Sequence, residues 1–236
     1  MTTNPRDQAV LSEDLKGLVR ISAAVPARCA ESLREALREA LDAADPEDVE
    51  EILLQAHLFV GYPLALDAMT EWRKLRGVGP ETGPEPDEEA WEDRGERVCG
   101  TVYGPQYGPL RENVRRVHPA LERWMVVDGY GKVLGRGGPE LRVRELCIAA
   151  LLAVLETPSQ LYSHLRGALN AGASPEEVEA VLTEAADFAS PAARTEARET
   201  WRRVRSRRTG AGARGKGSAS EPDGNGTAPR VPPTED

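Results

Sequence analysis

From Leu141 to Ala185 the apolar residues fall at helical rather than alternating spacing. Leu146, Ala149, Ala150, Ala153 and Val154 recur every three or four positions, which predicts a long helix with a strongly apolar face. The pattern breaks at Thr157-Pro158-Ser159-Gln160. Thr157 suits an N-cap, Pro158 suits the first helical position because its missing N–H would be an orphan there, and Gln160 can reach back to the cap from N3. A second helix follows through Leu161, Leu165, Ala168 and Leu169 and ends at Ala171-Gly172, where glycine can take the left-handed conformation. Ser174-Pro175-Glu176-Glu177 repeats the device of cap, N1 proline and N3 carboxylate. A third helix runs on through Val178, Val181 and Leu182.

The same three-helix pattern occurs once before, in Leu15, Leu18 and Val19, then Leu33, Ala36, Leu37, Ala40 and Leu41, then Asp45-Pro46-Glu47-Asp48 with Val49, Ile52, Leu53 and Ala56. An offset of 128 places Leu18 on Leu146, Leu33 on Leu161, Leu37 on Leu165, Arg38 on Arg166 and Ala40-Leu41 on Ala168-Leu169. An offset of 129 then places Pro46 on Pro175, Val49 on Val178, Leu53 on Leu182 and Ala56 on Ala185. This is an internal duplication, and two helical units with one apolar face each can bury those faces against one another. The expected fold is all-α, a duplicated helical repeat. The copies differ chemically: Gly17 stands where Glu145 stands, Ala36 where His164 stands and Ser32 where Gln160 stands.

The chain divides into a disordered N-terminus (1–9), a degenerate first repeat (10–76), a flexible linker rich in Gly, Pro and Glu (77–90), a second repeat with its preceding Gly-rich loop (91–208) and a disordered tail (209–236). In WMVVDGYGKVLGRGG the glycines at 129, 131, 135, 137 and 138 make the second half a loop that lets the backbone approach a ligand or another backbone closely. Arg202, Arg203, Arg205, Arg207, Arg208, Arg214 and Lys216 form a local basic segment, either a solvated tail or a contact for acidic partners.

Composition narrows the function. With 236 residues, 40% hydrophobic, the chain can bury a sizeable core. A formal charge of −9 and 5% aromatic content argue against specific nucleic-acid binding. Neither a long apolar run nor a basic-then-apolar amino terminus is evident, so the expectation is no membrane span and a cytoplasmic location. Cys29, Cys99 and Cys147 are odd in number and widely spaced, which suits reduced thiols, and no metal or other cofactor is implied.

His164 lies at the edge of its helix's apolar face, where a neutral imidazole can act as general acid or base; the alternative is a buried histidine satisfied by a backbone carbonyl. Glu145, nineteen residues earlier in an otherwise apolar helix, faces it if the two helices pack antiparallel about Thr157. An ion pair with Arg142 or Arg144 is the competing role. Arg142 and Arg144 can hold a carboxylate in bidentate fashion, Gln160 can bond a ligand carbonyl, and Tyr130 is a candidate pocket wall.

Arg144-Glu145-Leu146, Gln160-Leu161, His164, Ala168-Leu169-Asn170-Ala171-Gly172 and Glu176-Glu177-Val178 together resemble the carboxymuconolactone decarboxylase family, which includes the alkyl hydroperoxide reductase D-like thiol peroxidases. The resemblance implies a site at His164 and Glu145, decarboxylation of a small carboxylated lactone or keto acid, and a homo-oligomer. In the peroxidases the equivalent glutamate relays protons between the histidine and a CxxC pair. Here Thr157 and Gln160 occupy the CxxC positions, and neither forms a thiolate. Redox activity of the same superfamily is the first alternative, and a non-catalytic oligomeric binding module the second.

Overall fold

The computed structural model describes residues 9–77 and 88–214, all helix and connecting turns, with no strand among them. The expected N-terminus, linker and tail each fall mostly outside these residues; of the parts described, 88–90 belong to a helix rather than the linker, and 209–214 to a helix rather than the tail. The helices are α1 (Glu13–Ala27), α2 (Ala30–Ala43), α3 (Pro46–Arg76), α4 (Glu88–Tyr103), α5 (Tyr107–Val117), α6 (Pro119–Trp124), α7 (Leu141–Val154), α8 (Pro158–Asn170), α9 (Pro175–Ala185) and α10 (Pro191–Arg214). A π-helical segment, Met125–Leu134, follows α6.

The duplication is visible in the element bounds. Shifting α1 and α2 by 128 residues lays them on α7 and α8, and a shift of 129 lays Pro46 on Pro175, the first residue of α9. Backbone geometry repeats as well: Arg28 and Glu156, 128 positions apart, are the two non-glycine residues with positive φ among the described residues, at 55° and 58°. That left-handed turn disfavours side chains, and both copies keep it to swing the chain from the first helix into the second.

The repeat also extends to a fourth helix: the helical run through Leu66, Met69, Trp72 and Leu75 and the charged helix from Ser190-Pro191 to about Arg207, both legible in the sequence, correspond to one another. In α3 the backbone leaves helical geometry at Gly61 (φ 79°, ψ 166°), so Pro63 starts a new helical run just as Pro191 starts α10. Buried Trp72 corresponds to buried Trp201. Glu50 accepts from Arg76 at 3.1 Å, and its counterpart Glu179 accepts from Arg205, the counterpart of Arg76, at 2.5 Å. By length and composition alone α3 could cross a membrane. The break at Gly61 divides it, and Val49, Ile52, Leu53, Ala56, Ala68 and Trp72 are buried in the core.

The core forms where the first helices of the two copies, α1 and α7, cross, with α9 against α1 and α3 against α7. Leu18, Ile21, Leu146, Ile148, Leu151 and Leu152 are wholly buried there. The caps of α3 and α9 form as read from the sequence: Asp45 accepts from the Glu47 N–H at 2.8 Å, and Ser174 and Glu177 make a reciprocal capping box. The cap of α8 does not. Thr157 has ψ 74° against 155° at Ser174, its hydroxyl makes no cap bond, and Gln160 points to solvent.

The expected Gly-rich loop also differs: its first part, through Leu134, is helical. Glycine is needed there for contact between backbones. A Cβ on Gly131 would fall 2.0 Å from the Trp91 carbonyl oxygen, and one on Gly95 of α4 would fall 2.0 Å from that of Val126. α4 and the π segment therefore cross with main chain touching main chain.

Candidate active site

The antiparallel pairing of α7 and α8 brings Glu145 and His164 together. His164 Nδ1 lies 2.9 Å from Glu145 Oε2, Glu145 is 0% exposed and His164 is 6% exposed. A carboxylate at Nδ1 fixes the tautomer with its proton there and leaves Nε2 with its lone pair free. Phe59, from the first repeat, meets the imidazole edge to face at 5.4 Å between centroids. The first repeat thus contributes a wall to the site while lacking a site of its own. Its counterpart Phe188 lies instead under the Arg20 guanidinium.

Gly167 is the residue that makes room for the pair. It lies in the interior of α8, and a Cβ there would sit 2.4 Å from Glu145 Oε2 and 2.7 Å from Val102 Cγ1. Sequence reasoning passed over it, although a glycine inside a helix that costs about 1 kcal/mol against alanine signals such a need. In the first repeat Gly17 takes the place of Glu145 and Glu39 that of Gly167, and a Cβ on Gly17 would fall 3.4 Å from Ala40.

α4 supplies the next layer. Tyr103 and Tyr130 donate and accept between hydroxyls at 3.1 Å, with rings in edge-to-face contact at 5.9 Å. Burial raises both phenols above their ordinary range, and the Glu145 charge adds to it. Cys99, on the same helix, is pushed up to about 12 by burial, as is Cys147 on α7. Glu145 Oε1 is buried without a hydrogen-bond partner, and so is the hydroxyl of Thr157.

The other residues singled out in the sequence serve different places. Arg144 is buried and closes the turn before α7: it donates to the carbonyls of Gly137 (2.6 Å), Pro139 (3.2 Å) and Arg136 (3.5 Å) and pairs with Glu51 at 3.0 Å. Burial lowers its pKa, and Glu51 opposes that shift. With its donors held in this way, Arg144 is a structural clasp rather than a substrate ligand. Arg142 pairs with Glu177 of α9. Neither arginine pairs with Glu145, and Gln160 stands away at the exposed start of α8. Tyr130 is buried behind Tyr103.

Cys29 stands where Thr157 stands in the second copy. It is exposed, and hydrogen bonds from Ser32 and the first turn of α2 lower its thiol pKa. Among the described residues no three His, Cys, Asp or Glu side chains gather into a metal-binding group.

Comparison with known families gives an independent view of this segment. Residues 120–202 match the carboxymuconolactone decarboxylase family, in agreement with the resemblance carried by Glu145, His164 and the residues around them. The matched stretch runs from α6 into α10 and so contains the Glu145–His164 pair and the whole second repeat from α7 to α9. No individual curated protein matches the chain.

Proposed function

We propose that the second repeat is an acid–base catalyst of the carboxymuconolactone decarboxylase type, acting on a small carboxylated lactone or keto acid. The buried 2.9 Å contact between His164 and Glu145 carries the reading. With Nδ1–H donated to the carboxylate, Nε2 is the atom that exchanges a proton with substrate. Decarboxylation breaks the C–COO⁻ bond, CO₂ departs, and the electron pair passes into the conjugated carbonyl of the substrate. His164 Nε2 first takes a proton from water, forming the imidazolium, and then delivers that proton to the carbon that lost CO₂, returning to the neutral ring. Glu145 stabilises the imidazolium whenever it forms.

Phe59, Tyr103 and Val102 make the surroundings apolar, which favours release of neutral CO₂ from an anion and strengthens the Glu145–His164 interaction. Of the two arginines, Arg142 lies one helical turn from Glu145 and retains 30% side-chain exposure, so it is the one able to meet a substrate carboxylate. The replacement of both CxxC positions by Thr157 and Gln160 favours this chemistry over thiol redox.

The test is CO₂ release from carboxymuconolactone and related β-keto acids by the full chain. His164→Ala should lower turnover by roughly 10²- to 10⁴-fold with the helical circular dichroism unchanged. Turnover equal to that of the parent chain would remove His164 from the mechanism.

A further inference from the structure

Tyr162, two positions before His164 and therefore on another side of α8, carries three guanidinium groups. The Cζ atoms of Arg166, Arg203 and Arg207 lie 5.9, 6.0 and 5.7 Å from its ring centroid, and Arg207 Nη1 is 3.4 Å from its hydroxyl. Among the described residues none of these three arginines pairs with a carboxylate. Arg203 donates instead to the neutral Thr200 hydroxyl at 2.9 Å.

The first repeat is an internal control for this place. There Arg34 takes the position of Tyr162, Glu71 that of Thr200 and Lys74 that of Arg203. Glu71 accepts from Arg34 at 2.7 Å and from Lys74 at 2.6 Å, so these two cations share a carboxylate, while Arg38 holds the place of Arg166. In the second repeat that carboxylate is missing, a ring replaces one cation, and Arg207 joins Arg166 and Arg203 around it. The arrangement is also local, since the chain as a whole carries a formal charge of −9.

Like charges gathered without a counter-ion disfavour the free protein and favour any anion that bridges them. The ring holds the guanidinium groups by cation–π contact, which leaves less freedom to lose on binding. Forks approaching from three side chains suit a tetrahedral oxyanion, which offers more acceptor oxygens than a carboxylate.

We propose that Tyr162, Arg166, Arg203 and Arg207 form a binding site for the phosphate group of a small soluble anion, separate from the Glu145–His164 pair. Inorganic pyrophosphate titrated into the full chain by calorimetry should show one saturable site that weakens as salt is raised. Arg203→Gln/Arg207→Gln, and separately Arg166→Gln, should each weaken it, the double variant by at least about tenfold. Arg116→Gln/Arg123→Gln removes the same charge from exposed arginines elsewhere and should leave affinity within about twofold. Circular dichroism checks that each variant is folded. Unsaturable binding, or equal weakening by the two double variants, would overturn the site in favour of a net-charge effect. Cosedimentation with phosphatidylserine vesicles in the absence of pyrophosphate binding would overturn it in favour of a membrane surface.

Discussion

Gly167→Ala places a single methyl group at the centre of the proposed chemistry. The new Cβ would lie 2.4 Å from Glu145 Oε2, 3.1 Å from its Cδ and 2.7 Å from Val102 Cγ1, all inside van der Waals contact. Glu145 is 0% exposed and belongs to α7, whose residues from Arg144 to Ala153 are buried without a break, so the carboxylate can escape only by turning away from His164. Overpacking of a core costs about 1–3 kcal/mol, and alanine gains about 1 kcal/mol over glycine inside a helix. The net expectation is a loss of about 0–2 kcal/mol in stability together with loss of the hydrogen bond that fixes the imidazole.

Two readouts follow that do not depend on knowing the substrate. Urea unfolding gives the stability change. Nitrogen-15 chemical shifts of the three histidine rings report whether His164 still holds its proton on Nδ1. The parent chain should show His164 in that tautomer together with His57, whose Nδ1 faces the Leu54 carbonyl at 2.7 Å, while His118, whose Nδ1 accepts from the Ala120 N–H, holds the other; Gly167→Ala should release His164 alone. A variant about 1 kcal/mol more stable than the parent, with the His164 tautomer unchanged, would show that Gly167 does not seat Glu145 and would refute the packing argument.

Arg144→Met keeps length and removes the clasp on the turn before α7. Loss of a buried ion pair and three carbonyl contacts should destabilise the fold by about 3–5 kcal/mol in chemical denaturation, and a loss below about 1 kcal/mol would show that the turn holds itself. Thiol labelling of the native chain at pH 8 should modify Cys29 rapidly and leave Cys99 and Cys147 untouched, because burial pushes the latter two up to about 12. Three labels before denaturation would contradict the packed core around α4 and α7. Glu71 is held at about 2 by hydrogen bonds from Lys74 and Arg34, below the ordinary 4.5. A depressed carboxylate stabilises the fold above its unfolded pKa and loses that contribution as pH falls toward the folded value. Glu71→Gln should therefore lower stability at pH 7, where that contribution is complete, and flatten the acid limb between about pH 4.5 and pH 2, with variant and parent converging as pH falls; an unaltered limb would remove the link.

Much of the fold could be read in the order of residues. Spacing of Leu146, Ala149, Ala150 and Ala153, together with the prolines at 46, 158 and 175, located both sets of three helices, because helix period and N-terminal chemistry act within a few residues. The capping box at Ser174 and Glu177 is equally local and formed. The one expected at Thr157 and Gln160 did not: its backbone is set by the preceding left-handed residue Glu156 and by how α7 hands over to α8. The fourth helix of each copy is legible as a helix, but the correspondence of the two is not, because it rests on Trp72 and Trp201 and on two ion pairs rather than on a shared apolar stripe. The glycines suggested a loop, where Gly129 and Gly131 are helical and Gly131 lets the segment meet the α4 backbone.

The candidate site divides in the same way. That Glu145 and His164 face each other followed from their places on two helices joined by a short turn, a local fact. Everything that qualifies the pair is set by distant parts of the chain: the space above Gly167, the ring of Phe59 from the first repeat, the Tyr103–Tyr130 layer from α4 and the π-helical segment, and the capture of Arg144 by Glu51 and the turn before α7. Sequence alone determined the helical repeats and the acid–histidine pair, because short-range spacing encodes them. Only the tertiary structure decided which neighbours surround that pair and which partners engage Arg142 and Arg144, because burial and competition for hydrogen bonds depend on residues brought together by folding.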